Sequence, residues 1–595
     1  MAFFNKKHSL ISFILFFIIA ATGFTYSIYH RLIFSIHGNF IFKSCDQLLK
    51  ISNKPFNSGC FSEFYKTLFL DAHDLSYGNL PGFPHFLFSK FISSENLFDS
   101  FYVHLVYIFL LFFMLYRISL LLFDSRAAIF AMALFMINSG LINYSRSNYI
   151  EFPLAVFINC FLWMIIESER LQKKKFCFLA GLFLAVSGLI KYNTYFYLFG
   201  PLLFIFYHFY LNYKQEGKKI LLKLFLFIFP PLLFNLPWYY ANFSGICIKL
   251  ELSGVSAWGT IFGYHNIPDS RLAPFLWFFM AGLHITGQYI IYLVPAFVLT
   301  LIKKFKPIRT IFKTKSFETT LLFIFLTGNY LLFTVIFPIF AFRLMPDHWL
   351  PNFITVTVLL GFLLSEVDHR LVKKLITGFI AILLFYQLFL PVMLVNKESY
   401  PKSWVNFIEL DRFFNKYLYF ADVWAKLHGK LLPGNFSPPP DSSVFLLMKE
   451  ISEFDYKGVL LAINEDEVNL NKNRNGKLTL GILTNINLDM SRNFLYDSYN
   501  SRLGNKFSIK AEWEPAELEK LSEELKNFNY FILKNSLVEE TISAFNSFAK
   551  YSGQEKILEN FRFLTEKLEK KALLIKKIKY IGNSSLLLYR VENKE

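Results

Sequence analysis

Long apolar runs govern what this chain can become. The stretches SLISFILFFIIAATGFTYSIY, VYIFLLFFMLY and TTLLFIFLTGNYLLFTVIFPIF are too long and too uncharged for the core helices of a water-soluble domain. The first and last match the roughly 20 residues that a helix needs to cross a bilayer, and the second is the middle of a run of that length, 101–123. Such runs give about eleven spans, near 9–29, 101–123, 127–144, 150–167, 176–190, 192–212, 220–239, 273–302, 318–342, 350–365 and 371–395. No comparable run follows Asn396. The sequence therefore predicts a polytopic α-helical membrane domain over 1–395, a linker region over 396–440 and a soluble domain over 441–595. The 75 phenylalanines suit lipid-facing and interhelical packing and single out no site.

The formal charge of +17 has to be located before it is interpreted. Residues 401–595 carry 28 Lys and Arg against 26 Asp and Glu, a net +2, which leaves +15 in the apolar part. There the positives fall in alternate loops: Lys6 with Lys7, Arg117 with Arg126, RLQKKK at 170–175, KQEGKK at 214–219, KKFKPIRTIFKTK at 303–315 and HRLVKK at 369–374. That alternation is the positive-inside pattern. It predicts a cytoplasmic N-terminus and, after eleven crossings, a C-terminal domain on the external, periplasmic side of the inner membrane. Charge spread in this way reports topology and argues against a nucleic-acid partner, which needs basic residues on one folded face.

The first apolar stretch is long and no small-residue cleavage pattern follows it, so it reads as a span and not a cleaved signal. Residues 30–100 form a long first external loop in which CDQLLKI and FSEFYKTLFL alternate apolar and polar residues at helical spacing. Such segments suit helices lying in the membrane interface. Cys45 and Cys60 share this loop; they read equally as a disulfide pair or as two thiols. Beyond LPGNFSPPP (432–440), SSVFLLM, GVLLAINE, YFILKN and SLLLYRVE read as strands and PAELEKLSEELKNF as an amphipathic helix. Helices between strands suggest a small α/β layer fold. It carries no glycine-rich phosphate loop, no Cys-x-x-Cys and no nucleophile elbow.

Chemistry is expected where ionisable groups stand at the membrane edge, because charge there is expensive and tends to mark function. Under this topology the external edge collects Asp46, Asp71, His73 and Asp74, then Arg146 and Glu151 in NYSRSNYIEFP, and Lys191 in GLIKYNTY. It also collects His265, Asp269 and Arg271, and finally Arg343, Asp347 and His348. Each has a structural alternative. Asp74 could cap a turn, Asp71 could be a solvated loop acid, and His73 a surface histidine. Glu151 could be a helix-start acid favoured by the dipole, and Lys191 or Arg343 could snorkel.

The order of these features resembles the GT-C membrane glycosyltransferases, particularly the protein mannosyltransferase and aminoarabinose transferase group (glycosyltransferase family 39-like). That group has a cytoplasmic N-terminus, one span and a long external loop, with an acid early in the loop and a Pro-rich lead-in to the second span. Asp46 and Pro81 of NLPGFPHFLF fit that pattern. SRSNYIEFPLAVF resembles the group's Arg, acid and Pro through Arg146, Glu151 and Pro153. GLFLAVSGLIKYNTYFYLFGP is similar to its glycine-rich span ending in Lys, and FRLMPDHWLPNFITVTVLLGF to its late Arg…His/Tyr-x-Leu-Pro segment. The resemblance covers residues 1–395, with the bacterial, lipid-carrier-using branch the better match. The chain departs from the group at CDQLL, where Gln47 stands in place of the second acid of an Asp-Glu pair, so Asp71 or Asp74 could take the acid's role.

The resemblance implies inverting transfer of a sugar from a polyprenyl-phosphate donor to an acceptor hydroxyl on a protein, lipid or glycan. It implies Asp46 as general base and Glu151 as second acid, with Lys191, Arg343, His348 and Arg146 on the donor phosphate. His265, Asp269 and Arg271 would line a loop over the site. No cofactor is required; a divalent cation is possible at Asp46 and Glu151, since oxygens from two loops can share one. Two other readings share the topology: an oligosaccharyl or O-antigen ligase-like transferase, and a polyprenyl-lipid flippase or transporter. A transporter predicts charged residues mid-span and inverted repeats.

Overall fold

The computed structural model describes residues 6–29, 39–54, 58–73, 77–92, 102–137, 150–253, 313–336, 346–367, 370–395, 456–469, 478–483, 507–512, 529–534, 572–579 and 585–591, with scattered positions between 279 and 310 and residue 566. The chain divides into two units, Met1–Asn396 with Phe407–Ser442, and Lys397–Asn406 with Ser443–Glu595.

The first unit is helical. Its elements run α1 (Lys6–Tyr29), α2 (Asn39–Ser52), α3 (Ser58–Phe69), a two-residue ribbon β1 (Ala72–His73) and β2 (Tyr77–Gly78), α4 (Gly82–Ile92), α5 (His104–Leu122) and α6 (Ser125–Met136). They continue with α7 (Glu151–Glu167), α8 (Lys174–Ile190), α9 (Thr194–Glu216), α10 (Lys219–Ser253) and α11 (Ser316–Leu331). A π-helical turn (Leu332–Ile336) extends α11, and a 3-10 turn (Pro346–Asn352) leads into α12 (Phe353–Ser365); α13 is Arg370–Val395.

Among the described residues, four helical stretches are long and apolar enough to cross a membrane: His104–Leu122, Thr194–Glu216, Lys219–Cys247 and Ser316–Thr334. Helices α1, α6, α7, α8, α12 and α13 overlap other expected spans, while the run 273–302 falls mostly outside the described residues. The outward faces of α9 and α10 are apolar, with Phe199, Leu203, Leu232, Leu236 and Phe243 all more than half exposed. In water so large an apolar surface is a liability; against lipid tails it is the expected exterior, and unit 1 is accordingly a membrane domain.

Directional contacts set the helices in place. Asp124 caps α6, accepting from Arg126 N at 2.9 Å and Ala127 N at 2.8 Å, which satisfies two amides that have no helical partner. Helix α7 is buried along nearly its whole length, packing against α5, α8 and the 3-10 turn. At its far end Arg117 Nη2 of α5 lies 2.6 Å from Glu167 Oε1, and Trp163 Nε1 donates to the same oxygen at 3.1 Å.

In the first loop, CDQLLKI and FSEFYKTLFL are helical, in α2 and α3. Helix α2 buries Ile41, Ser44, Cys45, Leu48 and Ile51 along one face and exposes Gln47 and Lys50. Cys45 and Cys60 are both buried and are not joined by a disulfide; the Cys60 thiol donates to Ile51 O at 3.4 Å.

The second unit contains a five-stranded sheet of order β4-β3-β5-β7-β6. Its strands are β3 (Leu478–Leu483), β4 (Phe507–Glu512), β5 (Tyr530–Lys534), β6 (Ala572–Lys579) and β7 (Ser585–Val591). Strand β3 runs parallel to β4 and β5, whereas β7 is antiparallel to both β5 and β6. YFILKN and SLLLYRVE are therefore strands as expected, while the positions of SSVFLLM, the linker 432–440 and PAELEKLSEELKNF lie outside the described residues. GVLLAINE, expected as a strand, is instead part of α14 (Tyr456–Asn469), which packs on β6. The correction has a plain cause: Val459, Ala462 and Ile463 are the buried positions, a helical spacing hidden inside a short apolar run that either element accommodates.

Candidate functional site

Among the described residues, two helix ends of the membrane unit carry deeply buried charges. Glu151 is the first residue of α7, 5% exposed, and Lys191 ends α8 in extended conformation, 3% exposed. Lys191 Nζ lies 2.5 Å from Glu151 Oε1. Each charge suits its place, an anion at a helix N-terminus and a cation at a C-terminus. The end of α8 is pinned by its own turn: Lys191 N donates to Ser187 O at 3.2 Å, and Thr194 Oγ1 sits 2.7 Å from Ser187 O and 2.9 Å from Lys191 O.

Helices α7 and α8 pack on one another across the short connection 168–173, which sets these ends side by side, and close backbone approach seats the end of α8 against its other neighbours. A side chain at Gly188 of α8 would collide with Asn235 of α10, and one at Gly78 would collide with Leu189 O. The ribbon of the first loop is thus laid directly on the turn that presents Lys191. Trp238 Nε1 donates to Asp71 O at 3.4 Å, Asn242 Nδ2 to Leu70 O at 2.6 Å, and Tyr239 Oη to Tyr192 O at 2.8 Å, so α10 clamps both loops.

Beside that clamp opens a cavity of about 900 Å³, lined by Lys50, Lys54, Lys66, Asp71, Asn79 and Asn242 among others. Lys54 is matched by Glu63 at 2.7 Å. Asn79 is fixed on both sides, accepting from Ser44 Oγ at 2.7 Å and donating to Thr67 O at 2.8 Å. Asp71 is half-buried in this wall, and its neighbour by two places in the ribbon, His73, has its backbone in β1.

On the other side of Glu151, aromatic rings close the space. Phe152 stacks on His104 with centroids 5.5 Å apart, and His85 meets His104 edge-on at 5.4 Å. Burial, and secondarily the neighbouring His104, hold the His85 imidazole well below its ordinary range, so it is neutral in the fold. The sequence reading passed over both histidines, which sit in otherwise apolar segments with no charged neighbour to draw notice.

The structure thus brings Glu151 to Lys191 and sets Asp71 in the adjoining cavity wall. Asp46 lies on α2 and His348 on the 3-10 turn, their side chains outside the described residues. Asp74, Arg146, His265, Asp269, Arg271 and Arg343 are outside them altogether. No group of three His, Cys, Asp or Glu side chains comes together among the described residues. A cation at the Glu151 carboxylate would meet the Lys191 ammonium, so the described residues do not fit one there.

No family profile and no curated protein matches the chain. Solved structures similar to it include ArnT from Cupriavidus metallidurans, in the apo state and bound to undecaprenyl phosphate. Each aligns at 11% identity over 97% of both chains, with a TM-score of 0.48. Another is the oligosaccharyltransferase AglB from Archaeoglobus fulgidus in complex with an inhibitory peptide and a dolichol-phosphate, at 11% identity over 100% of this chain and 75% of that chain, TM-score 0.45. Likenesses this distant carry no residue correspondence.

Proposed function

We propose that this chain is an inverting membrane glycosyltransferase that moves a sugar from a polyprenyl-phosphate carrier to an acceptor hydroxyl at the external face of the membrane. The buried Glu151–Lys191 pair is the observation that carries this reading. A fully enclosed ion pair loses most of its Coulombic gain to desolvation, so it is poorly explained by stability alone. Set at the ends of two apolar helices, it offers an ammonium already desolvated and held in place. An ammonium has three donors, so Lys191 can share itself between Glu151 and a phosphate oxygen.

In the reaction, the acceptor hydroxyl attacks the anomeric carbon from the face opposite the phosphate, the C–O bond to the carrier breaks, and the configuration inverts. A loop-one carboxylate accepts the hydroxyl proton; Asp46 is the first candidate, and Asp71, placed in the cavity wall, the next. Asp74 stands behind them. Lys191, with Arg343, His348 and Arg146, stabilises the charge that develops on the departing phosphate. His265, Asp269 and Arg271 belong to the loop over the site. No step requires a metal.

The test is transfer of labelled sugar from a polyprenyl-phosphate donor by purified protein, with Asp46→Asn, Asp71→Asn and Asp74→Asn compared in parallel. One of the three should lose transfer by about a hundredfold or more while unfolding at the wild-type temperature. Full activity in all three would overturn the mechanism.

A further inference from the structure

We propose that Asn159, Asn329 and Asn352 are positioning residues that fix the turn carrying His348 against α7, the helix that begins at Glu151. The inference rests on the reading of His348 as a phosphate ligand.

The turn Pro346–Asn352 cannot support itself well. It is a seven-residue 3-10 segment with prolines at both Pro346 and Pro351, so it lacks two backbone donors, and 3-10 hydrogen bonds are the poorer kind. Three buried amides supply what the backbone lacks. Asn159 Nδ2 of α7 donates to Pro351 O at 2.9 Å while also reaching Ala155 O at 2.8 Å. Asn329 Nδ2 of α11 donates to Asn352 Oδ1 at 2.7 Å, and Asn352 Nδ2 returns to Trp349 O at 3.3 Å. None of the three is more than 1% exposed. Trp349 is wedged as well, since a side chain at Gly282 would meet its indole.

These ties matter because they add direction to the packing of the turn along α7. Among lipid-embedded helices, apolar surface gives no strong preference for one longitudinal setting over another, and polar ties and close packing decide it. The contexts FINCFLW, LTGNYLL and WLPNFI are largely apolar, and in each the asparagine amide supplies a directional tie toward the turn or within it. Two helices from distant parts of the sequence therefore converge on the seven residues that bear His348.

The experiment compares Asn159→Leu and Asn329→Leu with Asn212→Leu in the full chain. Asn212 is a buried asparagine of the same chemistry, donating to Arg170 O at 2.9 Å, but it ties α9 to the loop between α7 and α8. Two readouts are taken: maleimide labelling of His348→Cys in a Cys247→Ser background, and the KM and kcat for a polyprenyl-phosphate sugar donor in the His348 protein. The first two variants should change the labelling rate by about threefold or more and raise donor KM more than they lower kcat. The control should do neither, even where it lowers the melting temperature equally. Labelling and KM that track the control would overturn the proposal. If the wild-type chain shows no transfer at all, the functional reading falls, and the labelling rate alone decides whether the asparagines hold the turn.

Discussion

Lys191 Nζ and Glu151 Oε1 are 2.5 Å apart with both side chains less than a tenth exposed, although 40 residues separate them in sequence. Removing one partner deprives a buried charge of its counter-ion. Lys191→Met or Glu151→Gln alone should therefore lower stability, the former by about 3–5 kcal/mol. The double variant should recover much of that in detergent melting, because no uncompensated charge remains, yet should still fail to transfer sugar. A double variant with wild-type transfer would reduce the pair to a structural role.

His85 makes a pH prediction with a definite sign. Its folded-state affinity for a proton is depressed by burial and by His104, whereas in the unfolded chain it titrates near its ordinary value of 6.5. As pH falls below about 6.5 the unfolded state gains a proton that the fold refuses, so stability declines by up to about 1.4 kcal/mol per pH unit. Unfolding measured between pH 7.5 and 5 should show this slope in wild type and a flatter one in His85→Phe. Parallel slopes would assign the acid sensitivity to other groups.

Two glycines give opposite expectations for one substitution. Gly78→Ala would drive a methyl group into Leu189 O, lifting the ribbon from the turn that presents Lys191. Loss of both stability and transfer is expected. Gly378 is exposed within α13 with open space around its Cα, so Gly378→Ala should be neutral or stabilising by up to about 1 kcal/mol. Melting temperatures and transfer rates of the two variants check the contrast.

In the second unit, Tyr530 Oη lies 2.8 Å from Asp466 Oδ2 and 2.7 Å from Glu467 Oε1, while Arg590 Nη1 reaches Asp466 Oδ1 at 2.9 Å. Burial, then the two carboxylates, push the phenol far above its ordinary value, so it remains a donor at any working pH. Tyr530→Phe withdraws that donor from both acids and should cost about 1–3 kcal/mol. Faster hydrogen exchange in β5 and β7, with the membrane helices unchanged, is the expected signature. Unaltered exchange there would show that the cluster does not secure α14 to the sheet.

Part of this was legible in the sequence because its physics is local. An apolar run of twenty residues announces its own helix, and a lone Glu151 or Lys191 at the end of such a run stands out as an unpaid charge. Their pairing follows once α7 and α8 fold back on one another across the short connection 168–173; what was not legible is the seating of Gly188 on Asn235 and of Gly78 on Leu189, contacts between segments far apart in sequence. Asn159 and Asn329 escaped notice because a neutral amide in an apolar helix looks like any tolerated polar residue until its partner is known. GVLLAINE was misassigned because six apolar or small residues fit a strand as readily as one helical face, and only α14's packing on β6 distinguishes them.

The prolines of α10 have one further consequence. The helix contains Pro230, Pro231 and Pro237, and Pro231 has no amide to offer Phe227 O, four residues earlier. That same carbonyl is the atom on which Gly181 of α8 closes. A helix apolar on nearly every side has no reason from hydrophobicity to turn one flank inward. The missing amide supplies one: the bare carbonyl is tolerable against another backbone and costly against lipid. The rotational setting of α10, already tied inward by Lys223, Asn235 and Asn242, is thus favoured also by a hydrogen bond that cannot form.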